Sequence, residues 1–242
     1  MDLSLLPRCR KTANTRRAYQ AAVNESPRNA TSGNPRGRTL AAGDKLWEPG
    51  RTLWVSFMGA PDRQWKMEVY ELGCQWVDLS DANLTLELCE DNDQSAQIRI
   101  KLDPAAPHNE SDLGTDALIG EFETMILNVR PDNAHFRKTV LHEFGHALGM
   151  MHEHQHPDSN IAWNEAIVVE AYTHAGWAEA DIRAQMFAVN SSLGLVKTAY
   201  DPASVMHYPI ASNFTLNGFH VGFNEALSEK DLECMRLAYP ND

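Results

Sequence analysis

The sequence of 242 residues predicts an α+β fold, and three observations support that prediction. Several segments alternate apolar and polar residues with the two-residue period of strands. Other stretches repeat apolar residues at helical spacing, and the two kinds of segment are mixed along the chain. The hydrophobic content of 43% is normal for a globular protein, and the length allows a sizeable core.

The predicted elements follow one another in a mixed order. The helix at 62–79 carries its apolar residues on one face: Trp65, Val69, Leu72 and Trp76. A turn signal at 131–133 precedes another helix, whose apolar face includes Val140 and Phe144. We predict strands at 53–58, 84–88, 96–102 and 124–129, and helices at 163–177, 178–188 and 228–237, with a loop at 190–198. We expect the strand at 124–129 to be an edge strand that pairs with an extended peptide.

Residues 142–152 read HEFGHALGMMH, which is the spacing of a catalytic zinc site. His142 and His146 are one helical turn apart, so a helix directs both imidazoles to one point. Gly149 accepts the left-handed conformation that ends helices, and the turn lets His152 return as a third ligand. Three neutral imidazoles leave one tetrahedral position open, as in catalytic zinc sites. The sequence therefore predicts one catalytic Zn²⁺ on these three histidines.

Glu143 directly follows the first of these ligands and projects to one side of it. That position suits a general base for a water molecule that the metal has made more acidic. We expect Glu143 to take the proton of this water and to return it to the leaving amine of a peptide bond. A lone HExxH occurs by chance in many helices, but the longer pattern with Gly149 and His152 is far more specific.

A second motif lies downstream, where residues 204–209 read SVMHYP. Together the two motifs resemble the metzincin clan, whose members carry a methionine-containing turn beneath the zinc, and Met206 matches that methionine. Glu153, directly after the third histidine, and the Ser-x-Met-His-Tyr pattern are similar to the astacin family of zinc peptidases. The resemblance implies that Tyr208 is a fifth zinc ligand that can swing away to stabilise the tetrahedral intermediate. A phenol is suited to both tasks.

This resemblance covers roughly residues 41–242. It implies a twisted mixed sheet with long helices in an upper half, an irregular lower half with a C-terminal helix, and zinc in the cleft between them. The chain departs from the family after Glu153, where His154 to Asp158 replace the usual arginine and aspartate residues. We interpret His154 and His156 as neighbours of the ligands or surface residues. The role of Glu153 stays open, because animal astacins bury a processed N-terminus near it.

Residues 1–40 differ from the rest of the chain in charge. They hold eight Lys or Arg against Asp2 and Glu25, whereas residues 41–242 hold thirteen against thirty-one acidic residues. We interpret 1–40 as a basic, flexible extension, with a short helix at 15–23 and a linker at 27–37. Contact of this arm with nucleic acid or a membrane surface is the less favoured interpretation, and we expect no nucleic-acid partner.

The cysteines and glycosylation signals bear on the compartment. Four cysteines permit two disulfides and fit no Cys-x-x-Cys metal pattern; the resemblance implies a pair between Cys89 and Cys234, while Cys74 fits a buried free thiol. Met1 to Pro7 is too short for a secretory signal. Six Asn-x-Ser/Thr sequons nevertheless favour a secreted protein: Asn24, Asn29, Asn83, Asn109, Asn190 and Asn213. The sequence contains no run of eighteen apolar residues, so it predicts no membrane-spanning helix.

The sequence thus predicts a zinc-dependent endopeptidase that acts on extended protein or peptide substrates. The alternative is a catalytically silent or latent module that binds zinc and peptides through the same cleft. Astacin precursors block the zinc with an aspartate of a Gly-Asp motif. Gly43-Asp44 matches that motif superficially but lies close to the start of the domain. Cleavage preference and oligomeric state are not readable from these residues.

Overall fold

A computed structural model describes residues 8–10, 12, 14–30, 41–190 and 195–241. The strands are β1 (Arg8–Cys9), β2 (Ala41–Ala42), β3 (Arg51–Met58), β4 (Leu84–Leu88), β5 (Ile98–Leu102), β6 (Glu110–Ser111), β7 (Met125–Leu127) and β8 (Leu195–Val196). The α-helices are α1 (Thr15–Glu25), α2 (Arg63–Asp78), α3 (Phe136–Ala147), α4 (Glu165–His174), α5 (Glu179–Ile182) and α6 (Glu229–Ala238). Short 3₁₀ helices cover Pro27–Asn29, Gly114–Leu118, Glu153–Gln155 and Ser212–Phe214, and a π-helical turn covers Arg183–Phe187.

The larger sheet has six strands in the order β1-β6-β7-β5-β3-β4. All neighbours in it are parallel except β6 and β7, which are antiparallel. β2 and β8 form a separate antiparallel pair. The prediction of an α+β fold with a mixed sheet is therefore confirmed. The strand predicted at 124–129 is β7, but it is not an edge strand, because β6 and then β1 lie outside it.

Two apolar clusters divide the domain. The larger contains the inward faces of β3, β5 and β7 with one face of α2 and the apolar residues of α3. The smaller is formed by α4, α5 and the segment after the second motif, including Tyr208 and Ile210. The smaller cluster lies in the predicted irregular lower half, and Met206 and helix α6 of that half pack against the larger, sheet-containing cluster. No helix among the described residues has the length and apolar character needed to cross a bilayer.

Helix α2 illustrates how closely local signals fix an element. Asp62 caps it, since its side chain accepts a hydrogen bond from the Trp65 amide at 2.9 Å. Trp65, Val69 and Trp76 are buried, as their spacing predicts, and the Trp76 indole donates to the Leu141 carbonyl of α3 at 2.8 Å. α2 is thereby fixed against the central helix of the domain.

The described part of the basic extension packs on the domain, although the sequence predicts a flexible arm. Ala18 and Ala22 of α1 are buried, so α1 docks through small apolar residues, a signal too weak to stand out in a polar segment. Glu25 of this helix pairs with Arg51 at 3.1 Å. The helix predicted at 15–23 is present, and most of the linker predicted at 27–37 lies outside the described residues. The domain boundary at residue 41 stays a prediction.

The cysteines do not form the disulfide that the family resemblance implies. Cys89 is a free thiol whose Sγ lies 3.4 Å from the Val55 carbonyl oxygen. Cys234 is buried in α6 and its Sγ lies 3.0 Å from the Met150 sulfur. Cys74 is a partly buried free thiol beside Tyr70, which agrees with its interpretation from the sequence.

Asn29 makes buried hydrogen bonds between the extension and the domain, and its replacement tests this docking. Its buried amide donates to the carbonyls of Ala22 and Leu46 at 2.9 and 2.7 Å and accepts from the Leu46 amide at 3.2 Å. We predict that Asn29→Ala lowers the free energy of unfolding by about 2 kcal/mol, because buried carbonyls lose their donors. Urea denaturation measures the loss.

The matched control is Gln64→Ala, which removes an exposed pair with Glu68 and is expected to change stability by less than about 0.5 kcal/mol. An Asn29→Ala loss no larger than this control would contradict the docking role of Asn29.

Candidate metal centre

Helix α3 carries the first two predicted ligands through the centre of the domain. Every residue from Lys138 to Ala147 is buried. His142 and His146 are one turn apart, and their ring centroids are 4.8 Å apart at an interplanar angle of 86°. Both side chains therefore leave the helix toward the same point, as their spacing predicts.

The third ligand reaches this point through a turn at Gly149. Its φ of +84° lies in the left-handed region, where a side chain would be strained. The turn is closed by hydrogen bonds from the Gly149 amide to the His146 carbonyl and from the Met150 amide to the Gly145 carbonyl, both at 2.8 Å. His152 Nε2 consequently lies 3.0 Å from His146 Nε2.

Hydrogen bonds to the main chain orient two of the imidazoles. His142 Nδ1 lies 2.9 Å from the Val205 carbonyl oxygen, and His146 Nδ1 lies 2.8 Å from that of Met150. A carbonyl oxygen only accepts, so both Nδ1 atoms carry the proton and both Nε2 atoms present a lone pair. His142 Nε2 is buried and has no hydrogen-bond partner among the described residues. An orphaned nitrogen of this kind is what a bound cation would satisfy.

The three histidines fit a metal ion in geometry and in protonation. One ligand atom from each of His142, His146 and His152 lies within 4.8 Å of the others. Burial lowers the pKa of His146 to about 4 and those of His142 and His152 well below the ordinary value, so all three rings are neutral. Neutral imidazoles are the form that binds metals. The set of three nitrogens suits Zn²⁺ with a fourth position open.

Glu143 lies beside these ligands in an unusually apolar setting. Its side chain is fully buried, and neither carboxyl oxygen has a hydrogen-bond partner among the residues described. Burial raises its pKa well above the ordinary value, and the nearby charge of Glu110 acts in the same direction. Raised carboxyl pKa values of this origin are typical of general acids and bases.

The second motif passes directly beneath α3. Met206 is 2% exposed, and a side chain at Gly145 would collide with its sulfur and with Trp76. Gly145 is thus the gap in α3 that lets the methionine turn approach the helix. Asp231 of α6 holds this turn, since its carboxylate accepts from the Ser204 hydroxyl at 2.6 Å and from the Val205 amide at 2.9 Å.

Tyr208 completes the ring of aromatic groups around the metal position. Its ring centroid is 4.4 Å from that of His152 and 5.9 Å from that of His142. His154 stacks on it at 4.5 Å and is itself held by a hydrogen bond from Nε2 to the Gln185 carbonyl. His207 donates from Nδ1 to the Tyr208 carbonyl and accepts from the Tyr200 hydroxyl at 2.8 Å. The structure therefore brings Tyr208 to the ligands.

The two additional histidines and Glu153 lie outside the three-histidine set, and His154 is a neighbour of the ligands, since its ring stacks on that of His152 at 5.3 Å. His154 and His156 are both buried, so neither is a surface residue, and His156 Nε2 donates to the Thr198 carbonyl at 3.1 Å. Glu153 Oε1 accepts from the Asp201 amide at 2.7 Å, and burial raises its pKa to about 8. Glu153 thus supports the segment that leads into the methionine turn. Asp44 of the Gly-Asp pair is not part of the histidine cluster.

The N-terminal strand lies next to this centre. β1 pairs in parallel with β6, and Arg10 binds Glu110 at 2.8 Å and the Glu123 carbonyl at 2.7 Å. The charges of Arg10 and Glu143 affect each other, and the partly buried Cys9 thiol interacts electrostatically with Glu143. Burial raises the pKa of Cys9 to about 12. The extension thus covers the outer edge of the sheet close to the metal position.

The comparison with known proteins agrees with this geometry. The family model described as Astacin, a family of peptidases, matches residues 122–240. A structure of myroilysin is 35% identical, with 84% of this chain and 98% of that chain aligned at a TM-score of 0.76. The chain belongs to the astacin family. It is accordingly a zinc metalloendopeptidase, and its substrates are proteins or peptides.

Two further matches support the fold of this astacin-family chain. A crystal structure of myroilysin is 32% identical over 89% of this chain and 96% of that one, with a TM-score of 0.59. High choriolytic enzyme 1, a hatching enzyme zinc-protease from the medaka fish Oryzias latipes, aligns over 83% of this chain and 97% of its own. At 15% identity and a TM-score of 0.57, this third structure supports the fold alone. A search of curated protein sequences gave no match.

Sequence reasoning missed two residues that the structure brings to the centre, Asp231 and Lys138. Asp231 had a readable signal, because Ser228 and Asp231 have the spacing of a capping box, which the structure contains. That pattern predicts a helix start but says nothing about contact with residues 204–205. Lys138 is one turn before His142 and is 3% exposed, and a lysine at such a helical position is ordinarily solvated.

We predict that Asp231→Asn lowers zinc affinity roughly tenfold, because the loss of a residue that helps to orient a metal ligand typically lowers metal affinity by that order. The Val205 residue that donates to Asp231 also accepts from His142 Nδ1, so a looser turn misplaces the imidazole. Competition with a chromophoric zinc chelator measures the affinity. The control is Glu233→Gln on an exposed position of the same helix. Equal zinc affinity in both variants would rule out that Asp231 orients His142 through Val205.

Proposed function

We propose that this chain hydrolyses peptide bonds in extended polypeptides by general-base catalysis with Glu143. The observation that carries the proposal is the convergence of three Nε2 atoms, one of them orphaned, next to a buried carboxyl group without a partner among the described residues. His142, His146 and His152 are the residues that hold the metal. Zn²⁺, when bound there, supplies Lewis-acid chemistry that polarises the scissile carbonyl and acidifies a water molecule.

Glu143 moves the proton in this proposal. Its carboxyl group has no hydrogen bonds to break before it accepts a proton, since both oxygens are unpartnered among the described residues. The apolar setting that raises its pKa also makes it a stronger base once it is ionised by the charge of a nearby cation. Glu143 takes a proton from the attacking water and later gives one to the leaving amine.

Tyr208 stabilises the oxyanion in this proposal. Its ring is held between the neighbouring imidazoles and His154, so the phenol group stays near the carbonyl that is attacked. A phenol that donates to the oxygen only after charge develops there lowers the barrier without tightening substrate binding. Whether the same phenol also serves as a metal ligand is a separate part of the proposal.

The sheet edge is the site we propose for the substrate backbone. Without β1, the strand β6 is the edge next to the metal centre, and an extended peptide can add to it through main-chain hydrogen bonds. In this structure β1 already pairs with β6. That pairing favours the latent form as the second candidate, in which the extension must leave before a substrate binds.

An extracellular location remains part of the proposal, but burial reduces the number of sequons that support it. Asn29 and Asn109 are 1% and 0% exposed, so neither can carry a glycan in this fold. Asn24 and Asn213 are exposed. The argument for secretion therefore rests on fewer sites than the sequence suggests.

Glu143→Ala tests the general base. We predict that the variant binds one zinc per chain and loses at least about a thousandfold in kcat, because removal of a general base costs up to four orders of magnitude. Its stability is not expected to fall, since the lost carboxyl is buried and has no partner among the described residues. Cleavage of a quenched peptide and zinc analysis measure both properties.

Glu87→Ala, at an exposed position of β4, is the control for the Glu143 test. A Glu143→Ala protein as active as this control would contradict the assignment of Glu143 as the general base. Zinc in both proteins without cleavage by either would support the latent alternative.

Tyr208→Phe tests the oxyanion role. We predict that kcat falls about tenfold to a hundredfold while KM changes less than about threefold, because the hydroxyl acts only as charge develops. Tyr172→Phe is the matched control, since its hydroxyl is buried in the same apolar cluster and has no hydrogen-bond partner among the described residues. Parallel losses in kcat and in substrate affinity for Tyr208→Phe would argue against this role.

A further inference from the structure

Tyr208 approaches the metal ligands with its ring, and His207 holds its main chain. His207 is fully buried, and its Nδ1 atom donates to the Tyr208 carbonyl oxygen at 2.6 Å. Pro209 follows directly and has no amide hydrogen with which to fix this part of the chain. Beyond it, the Ile210 amide donates to the Val221 carbonyl at 2.9 Å. The His207 imidazole therefore helps to set the direction in which the Tyr208 side chain leaves the main chain.

One arrangement of protons satisfies both hydrogen bonds of His207. Burial lowers the pKa of His207 to about 4, so its ring is neutral at neutral pH. A carbonyl oxygen only accepts, so Nδ1 carries the proton and Nε2 presents a lone pair. The Tyr200 hydroxyl lies 2.8 Å from Nε2, and burial raises the pKa of Tyr200, so this hydroxyl keeps its proton and donates. Tyr200 thus fixes the tautomer and the orientation of the imidazole that holds Tyr208.

The main chain around Tyr200 is anchored to the segment that carries the third metal ligand. The Asp201 amide donates to Glu153 Oε1 at 2.7 Å, and Glu153 directly follows His152. Lys230 of α6 donates to the Tyr200 carbonyl at 3.2 Å. The Tyr200 hydroxyl therefore connects the segment of the third ligand with the methionine turn.

Only the hydroxyl of Tyr200 makes this connection, because its ring is held by separate contacts. The Tyr200 ring centroid lies 5.6 Å from that of His207 and 6.0 Å from that of His156. A phenylalanine would keep both ring contacts and lose the hydrogen bond. Packing at this position can thus be separated from an effect on His207.

The proposed reaction is sensitive to the position of Tyr208. Its ring packs against those of His152 and His154, at centroid distances of 4.4 and 4.5 Å. A donor that stabilises developing charge must lie within hydrogen-bond distance of the oxyanion, and a misplacement of about 1 Å can cost a hundredfold in rate. Ring packing fixes the plane of the phenol but lets it slide, whereas a fixed main chain limits that sliding.

We propose that Tyr200 is a positioning residue that acts through His207 to hold Tyr208 where the oxyanion develops. The inference rests on the proposed function and deepens it, since it adds a residue that acts on the reaction through another side chain. The geometry that supports it is the unbroken series of contacts from the Tyr200 hydroxyl through the imidazole to the Tyr208 carbonyl.

Tyr200→Phe tests the proposal in the full chain. We expect kcat to fall about fivefold, as for the loss of one neutral hydrogen bond, while KM changes less than about twofold. The loss falls on kcat because Tyr208 acts only as charge develops. Zinc affinity should stay within about twofold of the wild type, since the carbonyls that orient His142 and His146 are unchanged. Cleavage of a quenched peptide and competition with a zinc chelator measure these properties.

Tyr70→Phe is the matched control. The Tyr70 hydroxyl also donates one hydrogen bond to the main chain, to the Leu86 carbonyl at 3.0 Å, but Tyr70 belongs to helix α2 and not to the metal centre. This control should leave kcat unchanged. A Tyr200→Phe protein with the kcat of the control, or one that loses substrate affinity as much as kcat, overturns the proposal.

A double-mutant cycle shows whether Tyr200 acts through Tyr208. In a Tyr208→Phe background, the added Tyr200→Phe change should lower kcat less than about twofold, because the hydroxyl that it positions is already absent. If the two losses multiply in the double variant, Tyr200 acts by another route and the inference is wrong.

His207→Asn provides a second variant for the same cycle. An asparagine amide keeps a donor near the position of Nδ1 and removes the acceptor of the Tyr200 hydroxyl. We expect it to lower kcat as Tyr200→Phe does, and a further Tyr200→Phe change to have no added effect. If Tyr200→Phe does not fold, His207→Asn combined with Tyr208→Phe carries the test, and multiplied losses again overturn the inference.

Nuclear magnetic resonance separates this inference from the proposed function, because it reads the position of Tyr208 without cleavage. In the full chain with isotope-labelled tyrosine rings, the Tyr208 signal is assigned by its absence from Tyr208→Phe. We expect Tyr200→Phe to shift or broaden this signal and Tyr70→Phe to leave it unchanged. A shift in a protein that cleaves no peptide supports the positioning by Tyr200 and counts against the proposed function alone. An unchanged Tyr208 signal in Tyr200→Phe overturns the inference.

Discussion

The main chain of Val205 is the point on which the rest of the centre depends. Its amide donates to Asp231 of the C-terminal helix, and its carbonyl accepts from His142 of the central helix. All of these groups are buried, where one hydrogen bond contributes about 1 kcal/mol and an unmade one costs more. The tautomer and direction of a metal ligand are thus fixed by a residue 63 positions later in the chain.

Packing and polarity reinforce this connection. Gly145 leaves room for Met206 beneath the ligands, and Trp47 donates to the Ala147 carbonyl at the end of the same helix. Because α3 is buried along nearly its whole length, it cannot rotate without breaking these contacts. The rigidity matters because nitrogens that are already held in place bind an ion without a further cost of ordering. Neutral imidazoles can approach one another without charge repulsion, and they are the form that binds metal.

Sequence reasoning predicted the parts of this structure that short-range rules control. The spacing of His142, His146 and His152 required only a helix and a glycine turn, and both are present. β3 and α2 followed from the pattern of apolar residues. The spacing could not reveal the depth of burial of Glu143, because burial depends on what packs over it. Asp231 and Lys138 were missed for the same reason.

Short-range rules could not predict the shortest strands or the docking of the extension. β1 and β6 have two residues each and no apolar alternation, so their pairing is decided by tertiary contacts such as Arg10 with Glu110. The expected disulfide at Cys89 came from resemblance alone and fails because Cys89 is a free thiol in this chain. A resemblance to a family predicts the metal ligands reliably, because their spacing is constrained by the geometry of the site. It predicts a disulfide less reliably, because no such constraint requires the crosslink.

The shortness of β6 bears on how a substrate is selected. A two-residue edge offers few main-chain hydrogen bonds, so pairing with it supplies little binding free energy and no sequence information. Selectivity must then come from side-chain contacts near the metal, where water is excluded and a charge interacts strongly. Glu143 is buried there, and neither of its carboxyl oxygens has a hydrogen-bond partner among the described residues. A centre that leaves a buried carboxyl group unpartnered loses stability in isolation, and a cation bound beside it offsets that loss.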